Sequence, residues 1–486
     1  PATTMTTFGG SYPKFKISKT YDTVGPFALG SSLASVFAYL RKNQSQYSNN
    51  AFYFNQVDPM SMDYVIELSS FGVSLRFNPI LQILTSIRFS RMDEVILQFP
   101  MGQSGQVVSF STPKKIATVG DIYQTFGPTT PGQYENNYKN FVLEYPGLAF
   151  VFAVPSDKSV LYSHDASAVP RPNANDPLPN LSLPLVSLYC RPSDKESQIS
   201  SREDAIRELD KRPYIEVIRG ESIAFYYPAS GTSSTLMFGA HVQEVIAALG
   251  LPDQRFTKPN TAFNSSRSLA SAVSTVLPEP DYFFNYFDLG VDILFDGKLH
   301  VAKKFVLWTN LPSQPDFVRY SKCHYRIETR GIPFSIRSAS SSNLRSPSKA
   351  DLPAELHEDL KDLPLHGEAD GRVAMRDSKG IPAPKPVINP GGGGGMEEEQ
   401  EEAIRSPNLR LSRPLAESDS LVPEQITPQM KWPAIEAIMG PPTGNPYWFP
   451  TREGAFGGMT YFAYPNIIFE VMKKDEYVSK IFLFPD

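Results

Sequence analysis

The chain has 486 residues, and its 46 Lys plus Arg against 51 Asp plus Glu leave a formal net charge of −5, with no field of one sign to attract nucleic acid. That length admits about three ordinary domains and several buried cores without help from cofactors or disulfides. The two cysteines, Cys190 and Cys323, lie far apart and form no Cys-x-x-Cys or Cys/His cluster, which argues against structural zinc and a secreted disulfide scaffold and fits a reducing cytosol.

No apolar run approaches the roughly twenty residues that span a bilayer. The richest, residues 141–154, is interrupted by Glu144 and Pro146, so a soluble or peripheral protein is expected. The chain starts at Pro1 without an initiator Met, and what is present has no charged-then-apolar leader. A missing or processed N-terminus could still hide a targeting signal.

In chain order, the first unit is expected over 20–110. It has a helix at 29–40, strands at 64–68 and 73–77 separated by Phe71-Gly72, and a further strand after Asn78-Pro79 over 80–89. The second, 111–235, has a helix from Val119 stopped at Gly127-Pro128, then strands at 141–145 and 148–154 around Pro146-Gly147. Extra strands follow, and a Pro/Asn-rich stretch at 168–184 interrupts the unit. The third, 236–335, is the clearest. Val242, Val245, Ile246 and Leu249 recur at helical spacing, Gly250 and Pro252 stop the helix, and residues 281–310 read as three strands turning at Gly290 and Asp296-Gly297.

From 336 to 428 the composition shifts to Ser, Pro, Gly and unpatterned charge, which cannot bury enough apolar surface to offset its ordering entropy, so a disordered insertion is expected. Within it, Ser346 and Ser406 each follow Arg and precede Pro, where phosphorylation would add a compact negative charge. The fourth unit, 429–486, repeats the order with a helix ending at Gly440-Pro441 and strands at 459–464, 467–472 and 478–484. The fold class expected is therefore α+β: about four tandem units of a helix packed on an antiparallel β-meander.

Catalytic motifs are absent. Between Gly290 and Gly297 stand six residues where a phosphate loop has four, and Leu299 occupies the Ser/Thr position. His357-Glu358 is followed by Lys361 where a zinc-protease helix needs its second His. The glycines 391–395 read as a flexible linker. No Gly-x-Ser-x-Gly elbow is present. Cys323 and His324 are neighbours on one strand and point to opposite faces, so Cys323 reads as a packed cysteine. No catalytic, cofactor or metal residue is assigned. The one electrostatic feature is Lys298, Lys303, Lys304 and Arg326, with Arg319 and Lys322 nearby in sequence. It would serve anionic lipid or an acidic partner, or, as lysines on strands often do, block edge-to-edge aggregation.

The run from Asp281 to Asn310, followed by Tyr320, Cys323 and Tyr325, closely resembles the hallmark segment of the phagosome (phagophore) assembly factor family. The likeness extends to residues 27–30, 72–77, 126–132 and 468–472. Two features depart from it: Trp308 stands where relatives commonly have His, and residues 311–315 differ from the usual Tyr-Pro-Gly. The resemblance implies a non-enzymatic, cytoplasmic adaptor without a cofactor. It would pair with a WD40 β-propeller protein of the breast-carcinoma-amplified-sequence type and be recruited, peripherally, to forming autophagosomal membranes, with phosphoinositides read mainly by that partner. The unit also looks like the helix-on-three-strands module of bacterial outer-membrane assembly lipoproteins. Two rivals are a direct phosphoinositide-binding module and an enzyme with a site dispersed over several units.

Overall fold

The structure, a computed structural model, describes residues 12–102, 105–130, 132–135, 139–155, 182–193, 199, 201–258, 279–312, 314, 316–328, 425–449 and 458–486. Strands β1 (Lys14–Lys16), β2 (Thr23–Val24) and β3 (Phe27–Ala28) precede helix α1 (Leu33–Lys42), then β4 (Asn50–Tyr53), β5 (Tyr64–Leu68), β6 (Val73–Phe77) and β7 (Leu84–Phe89). Strands β8 (Ile96–Met101) and β9 (Gln106–Ser111) lead to α2 (Val119–Phe126), β10 (Gln133–Glu135), β11 (Asn140–Tyr145), β12 (Leu148–Ala153) and β13 (Leu185–Cys190). After α3 (Arg202–Leu209) come β14 (Tyr214–Ile218), β15 (Ser222–Tyr227), β16 (Thr232–Met237), α4 (Val242–Leu249), β17 (Gln254–Thr257), β18 (Tyr282–Tyr286), β19 (Val291–Phe295) and β20 (Ala302–Trp308). The rest is β21 (Tyr325–Glu328), β22 (Gln425–Ile426), α5 (Trp432–Met439), β23 (Tyr447–Phe449), β24 (Met459–Tyr464), β25 (Ile467–Met472) and β26 (Val478–Leu483). With five short helices among the described residues and sheets carrying the architecture, the fold is mostly β rather than evenly α+β.

Two eight-stranded sheets dominate, in the orders β10-β11-β12-β13-β7-β6-β5-β4 and β17-β18-β19-β20-β26-β25-β24-β23. Each is a pair of antiparallel meanders joined through their last strands: Phe89 lies opposite Leu188 in the first and Leu307 opposite Ile481 in the second. A smaller sheet accompanies each, β1-β8-β9 and β16-β15-β14-β21-β22. In both, a strand from before the first meander runs parallel to one from after it, β1 with β8 and β14 with β21.

Local geometry recurs with the topology. The residue capping each meander's helix bridges the residue before the last strand: Ser32 with Ile83, Thr118 with Pro184, His241 with Val301, and Lys431 with Tyr477. Three helices end at Gly127, Gly250 and Gly440, whose φ values of 83°, 83° and 75° lie where a side chain is disfavoured. The hydroxyls of Tyr145, Tyr286 and Tyr464 donate to those glycines' carbonyls at 2.6, 3.1 and 2.7 Å. Helix α1 lacks that glycine and ends at Asn43, whose side-chain amide donates to the Tyr39 carbonyl.

The strand expected over 80–89 starts later, at Leu84. Asn78 Oδ1 accepts from the amides of Ile80 and Leu81 at 2.9 and 3.0 Å, and Gln82 takes a φ of 52°, so the apolar Ile80 and Leu81 belong to a tight turn.

Helices α1 and α2 bury Leu33, Val36, Leu40, Val119 and Ile122 against one face of the first sheet, beside Phe15, Leu97 and Phe110 of its small sheet. Helices α4 and α5 do the same on the second sheet through Val245, Trp432 and Ile435. Strands β18, β19 and β25 are buried on both faces, which explains why apolar residues fill them apart from Asn285, Asp292 and Glu470. Their outward residues, including Phe283, Leu294 and Ile468, pack with Met60 from the first half and with Leu311 and Tyr320.

The expected insertion lies outside the described residues as far as 424, but its final residues do not belong to it: Ile426 pairs with Ile327 and extends the five-stranded sheet. Residues 168–181, Ser346 and Ser406 also lie outside the described residues.

Candidate functional site

The predicted cations do not converge. Lys303 Nζ is held by Asp281 at 3.1 Å and Asp296 at 3.3 Å, which raises its pKa despite partial burial. Lys298 sits on the exposed turn, its backbone amide donating to Asp296 Oδ1 at 2.9 Å. Lys304 is buried on the opposite face of β20, with its ammonium 5.9 and 5.6 Å from the ring centroids of Phe482 and Phe484. Arg326 lies in a different sheet, paired with Asp210 at 2.8 Å and stacked 3.9 Å from the Tyr214 ring centroid.

What the fold gathers instead is a polar cluster on the outward face of the second sheet. Trp308 and Tyr320 stack with centroids 4.2 Å apart, and the Lys480 ammonium lies 4.2 Å from the Trp308 centroid. Asp292 Oδ2 accepts from Trp308 Nε1 at 2.8 Å, and its Oδ1 accepts from Asn285 Nδ2 at 2.8 Å and from Tyr320 OH at 2.9 Å. Burial nonetheless pushes the Asp292 carboxyl up to about 6, because desolvation of the anion outweighs its three donors and the pull of Lys480. Glu470 accepts from Tyr461 OH at 2.8 Å and Ser479 Oγ at 2.6 Å, with Lys480 Nζ 3.7 Å away.

Residues 311–315 pack inward at the positions described. Leu311 and Gln314 are buried, and Gln314 Nε2 donates to Thr309 Oγ1 at 2.9 Å and to the Ser479 carbonyl at 2.6 Å. Phe317 then packs against Phe37 and Phe52 of the first half.

Beside this segment a cleft of about 260 Å³ opens between the halves. Its walls come from the N-terminus of α1, the 81–83 turn, the chain entering β14, part of β15, and residues 321–324. Lys322 and His324 line it, Lys322 buried and His324 half-buried. Desolvation, with Arg202 nearby, pushes the Lys322 ammonium down to about 7, and desolvation plus the charges of Lys322, Arg212 and Arg326 pushes His324 down to about 3. Asp288 and the tyrosines 214, 226 and 227 complete the rim. In the sequence Lys322 stood near the basic group and His324 only as the neighbour of Cys323, while Arg212, 110 positions before Lys322, carried no signal.

Cys323 is buried, and desolvation raises its pKa well above the thiol range. Burial pushes Cys190 up to about 12, and its Sγ donates to the Tyr21 carbonyl at 2.7 Å. Among the described residues no group of three or more His, Cys, Asp or Glu gathers to hold a metal, and no helix is long and apolar enough to cross a membrane.

The family model for phagosome assembly factor 1 matches residues 23–355. A PHAF1 protein of Arabidopsis thaliana is 30% identical over 316 residues, covering 63% of this chain and 72% of its own length. PHAF1 proteins of Caenorhabditis elegans and Drosophila melanogaster are each 27% identical, over 359 and 342 residues, covering 68% and 66% of this chain and 81% and 75% of theirs. No solved structure matches. With a family model spanning well over half its length, from the first β-ribbon through β21, the chain belongs to the phagosome assembly factor 1 family.

Proposed function

We propose that this chain is a non-enzymatic adaptor that binds a WD40 β-propeller protein of the breast-carcinoma-amplified-sequence type and is recruited with it, from the cytoplasm, to forming autophagosomal membranes. Family membership carries this reading. The recurrence of helix, meander and turn geometry supports four tandem units grouped as two similar halves, a plan suited to presenting surface rather than to enclosing one catalytic centre. Trp448 is 51% exposed on the edge strand β23, with Lys473 Nζ 5.3 Å from its ring centroid, an aromatic anchor of the kind interfaces use. The dispersal of Lys298, Lys303, Lys304 and Arg326 favours membrane contact through the partner over direct reading of lipid by these four residues.

Affinity capture of the tagged chain from its native cell, with and without starvation, tests the proposal. A β-propeller protein recovered in near-equal amount supports it. A chain that purifies alone under both conditions overturns it.

A further inference from the structure

We infer that the cleft between the two halves is a binding site for a soluble phosphate monoester, seated at the N-terminus of α1 and neutralised by Lys322, with Arg212 and His324 as further ligands. The site is independent of the adaptor reading.

Lys322 is 6% exposed, and its one hydrogen-bond partner is the weak acceptor Met60 Sδ at 3.8 Å. Among the described residues no carboxylate forms an ion pair with it. A buried ammonium without a counter-ion costs several kcal/mol, a cost that a bound anion offsets. Two further polar atoms stand unanswered at the same place, buried without a hydrogen-bond partner in the protein: Arg212 Nε, a donor, and His324 Nδ1, a donor in the tautomer that carries its proton there. Arg212 meets Glu208 only at 3.9 Å, whereas Arg326 is committed to Asp210.

The fourth contributor is backbone. Ser32, Leu33 and Ala34, the cap and first turn of the ten-residue α1, line the cleft. The Leu33 amide already donates to the Gln82 carbonyl at 2.8 Å and the Ser35 amide to Ser32 Oγ at 3.1 Å, so the terminus contributes the Ala34 amide and its positive dipole end. No acidic residue occupies the first turn of α1 to neutralise that end. Donors approaching from a helix terminus, a lysine, an arginine and a histidine suit the several oxygens of a phosphate dianion better than a single carboxylate. Phe225, Tyr226, Tyr227 and Leu289 offer apolar and aromatic wall to the group that carries it, and Asp288 at the rim disfavours a second negative charge there.

The full chain is titrated near neutral pH with inorganic phosphate and with phenyl phosphate, following the thermal midpoint and the phosphorus NMR signal. Saturable stabilisation by both is expected, with phenyl phosphate the tighter ligand. Lys322→Met removes the buried charge, so it is expected to raise the ligand-free midpoint and abolish the phosphate response. Arg212→Gln is expected to weaken binding about tenfold while the chain stays folded. No phosphate-dependent shift in the wild type, an equal shift in Lys322→Met, or an equal shift with acetate at matched ionic strength overturns the site. Vesicles of phosphatidylcholine with phosphatidic acid form the last arm: binding that disappears in Lys322→Met would assign the phosphate to lipid and overturn the soluble source.

Discussion

Gln82 and Asn310, 228 residues apart in sequence, lock the two halves through a closed pair of amides. Gln82 Nε2 donates to the Asn310 carbonyl at 2.6 Å, and Asn310 Nδ2 donates to Gln82 Oε1 at 2.7 Å. Both residues are buried, both have positive φ, and Asn310 Oδ1 also accepts the Val318 amide at 2.7 Å. The pair holds the 81–83 turn of the first half against the segment leaving β20.

Gln82→Leu keeps the volume but strands the Asn310 amide and carbonyl, so a loss of about 2 kcal/mol or more is expected. Urea denaturation of Gln82→Leu, Asn310→Gly and the double variant should show strong coupling. Additive losses would mean the amides act separately.

Asp292 makes stability depend on pH in the opposite sense to a salt-bridged carboxylate. Its folded carboxyl titrates near 6 against an ordinary value of 3.8, so between those limits the folded chain binds more protons than the unfolded one. Its contribution is fully present below the unfolded value and is lost as pH rises through about 6, by up to about 3 kcal/mol. Asp292→Asn removes this slope. It also turns an amide nitrogen toward donors, so the variant should be less stable than wild type at neutral pH. Denaturation midpoints measured from pH 4 to pH 7 in both proteins check the difference in slope.

Trp308 stacks on Tyr320 and donates to Asp292. Trp308→Phe keeps much of the packing while removing one donor, so about 1–3 kcal/mol should be lost and the Asp292 transition should move upward in pH. Trp308→Ala should cost about 3–5 kcal/mol. A Trp308→Phe protein with wild-type stability would show that the indole N–H contributes nothing net.

Glycine positions divide by what a Cβ meets. At Gly290, with φ 69°, it would collide with the Ser321 carbonyl oxygen and stand 2.9 Å from the Cys323 nitrogen, both backbone. At Gly440, with φ 75°, nothing lies within 4 Å. Gly440→Ala should therefore cost only the backbone strain of about 1–2 kcal/mol, whereas Gly290→Ala should lose several kcal/mol or fail to fold. Equal thermal midpoints for the two variants would contradict this ranking.

Charge reversal at Lys298 and Lys303 should do little. Lys303 is nearly half exposed in its pairs with Asp281 and Asp296, and such bridges are worth less than about 1 kcal/mol. The double variant should capture the same partner as wild type and bind anionic vesicles no differently. Loss of vesicle binding would revive the direct lipid reading.

The recurring helix stops, the Gly290 and Asp296-Gly297 turns and the apolar strands were legible in the sequence because they are local: φ preference, helix termination and side-chain periodicity act within a few residues. The 80–83 stretch misled because an apolar run has the same composition in a buried turn as in a strand, and Asn78 decides between them. The pairing of meanders through β7 with β13 and β20 with β26 was not legible, since every inner strand edge offers the same amides and carbonyls. In the basic run 298–326, strand alternation already sets Lys303 and Lys304 on opposite faces from the sequence alone, but only the change of sheet that carries Arg326 away completes the group's separation. Burial of Lys322 beside Arg212 and the α1 terminus was decided only by the meeting of the two halves, because desolvation depends on what the rest of the molecule brings within a few ångströms, and sequence neighbours do not record that.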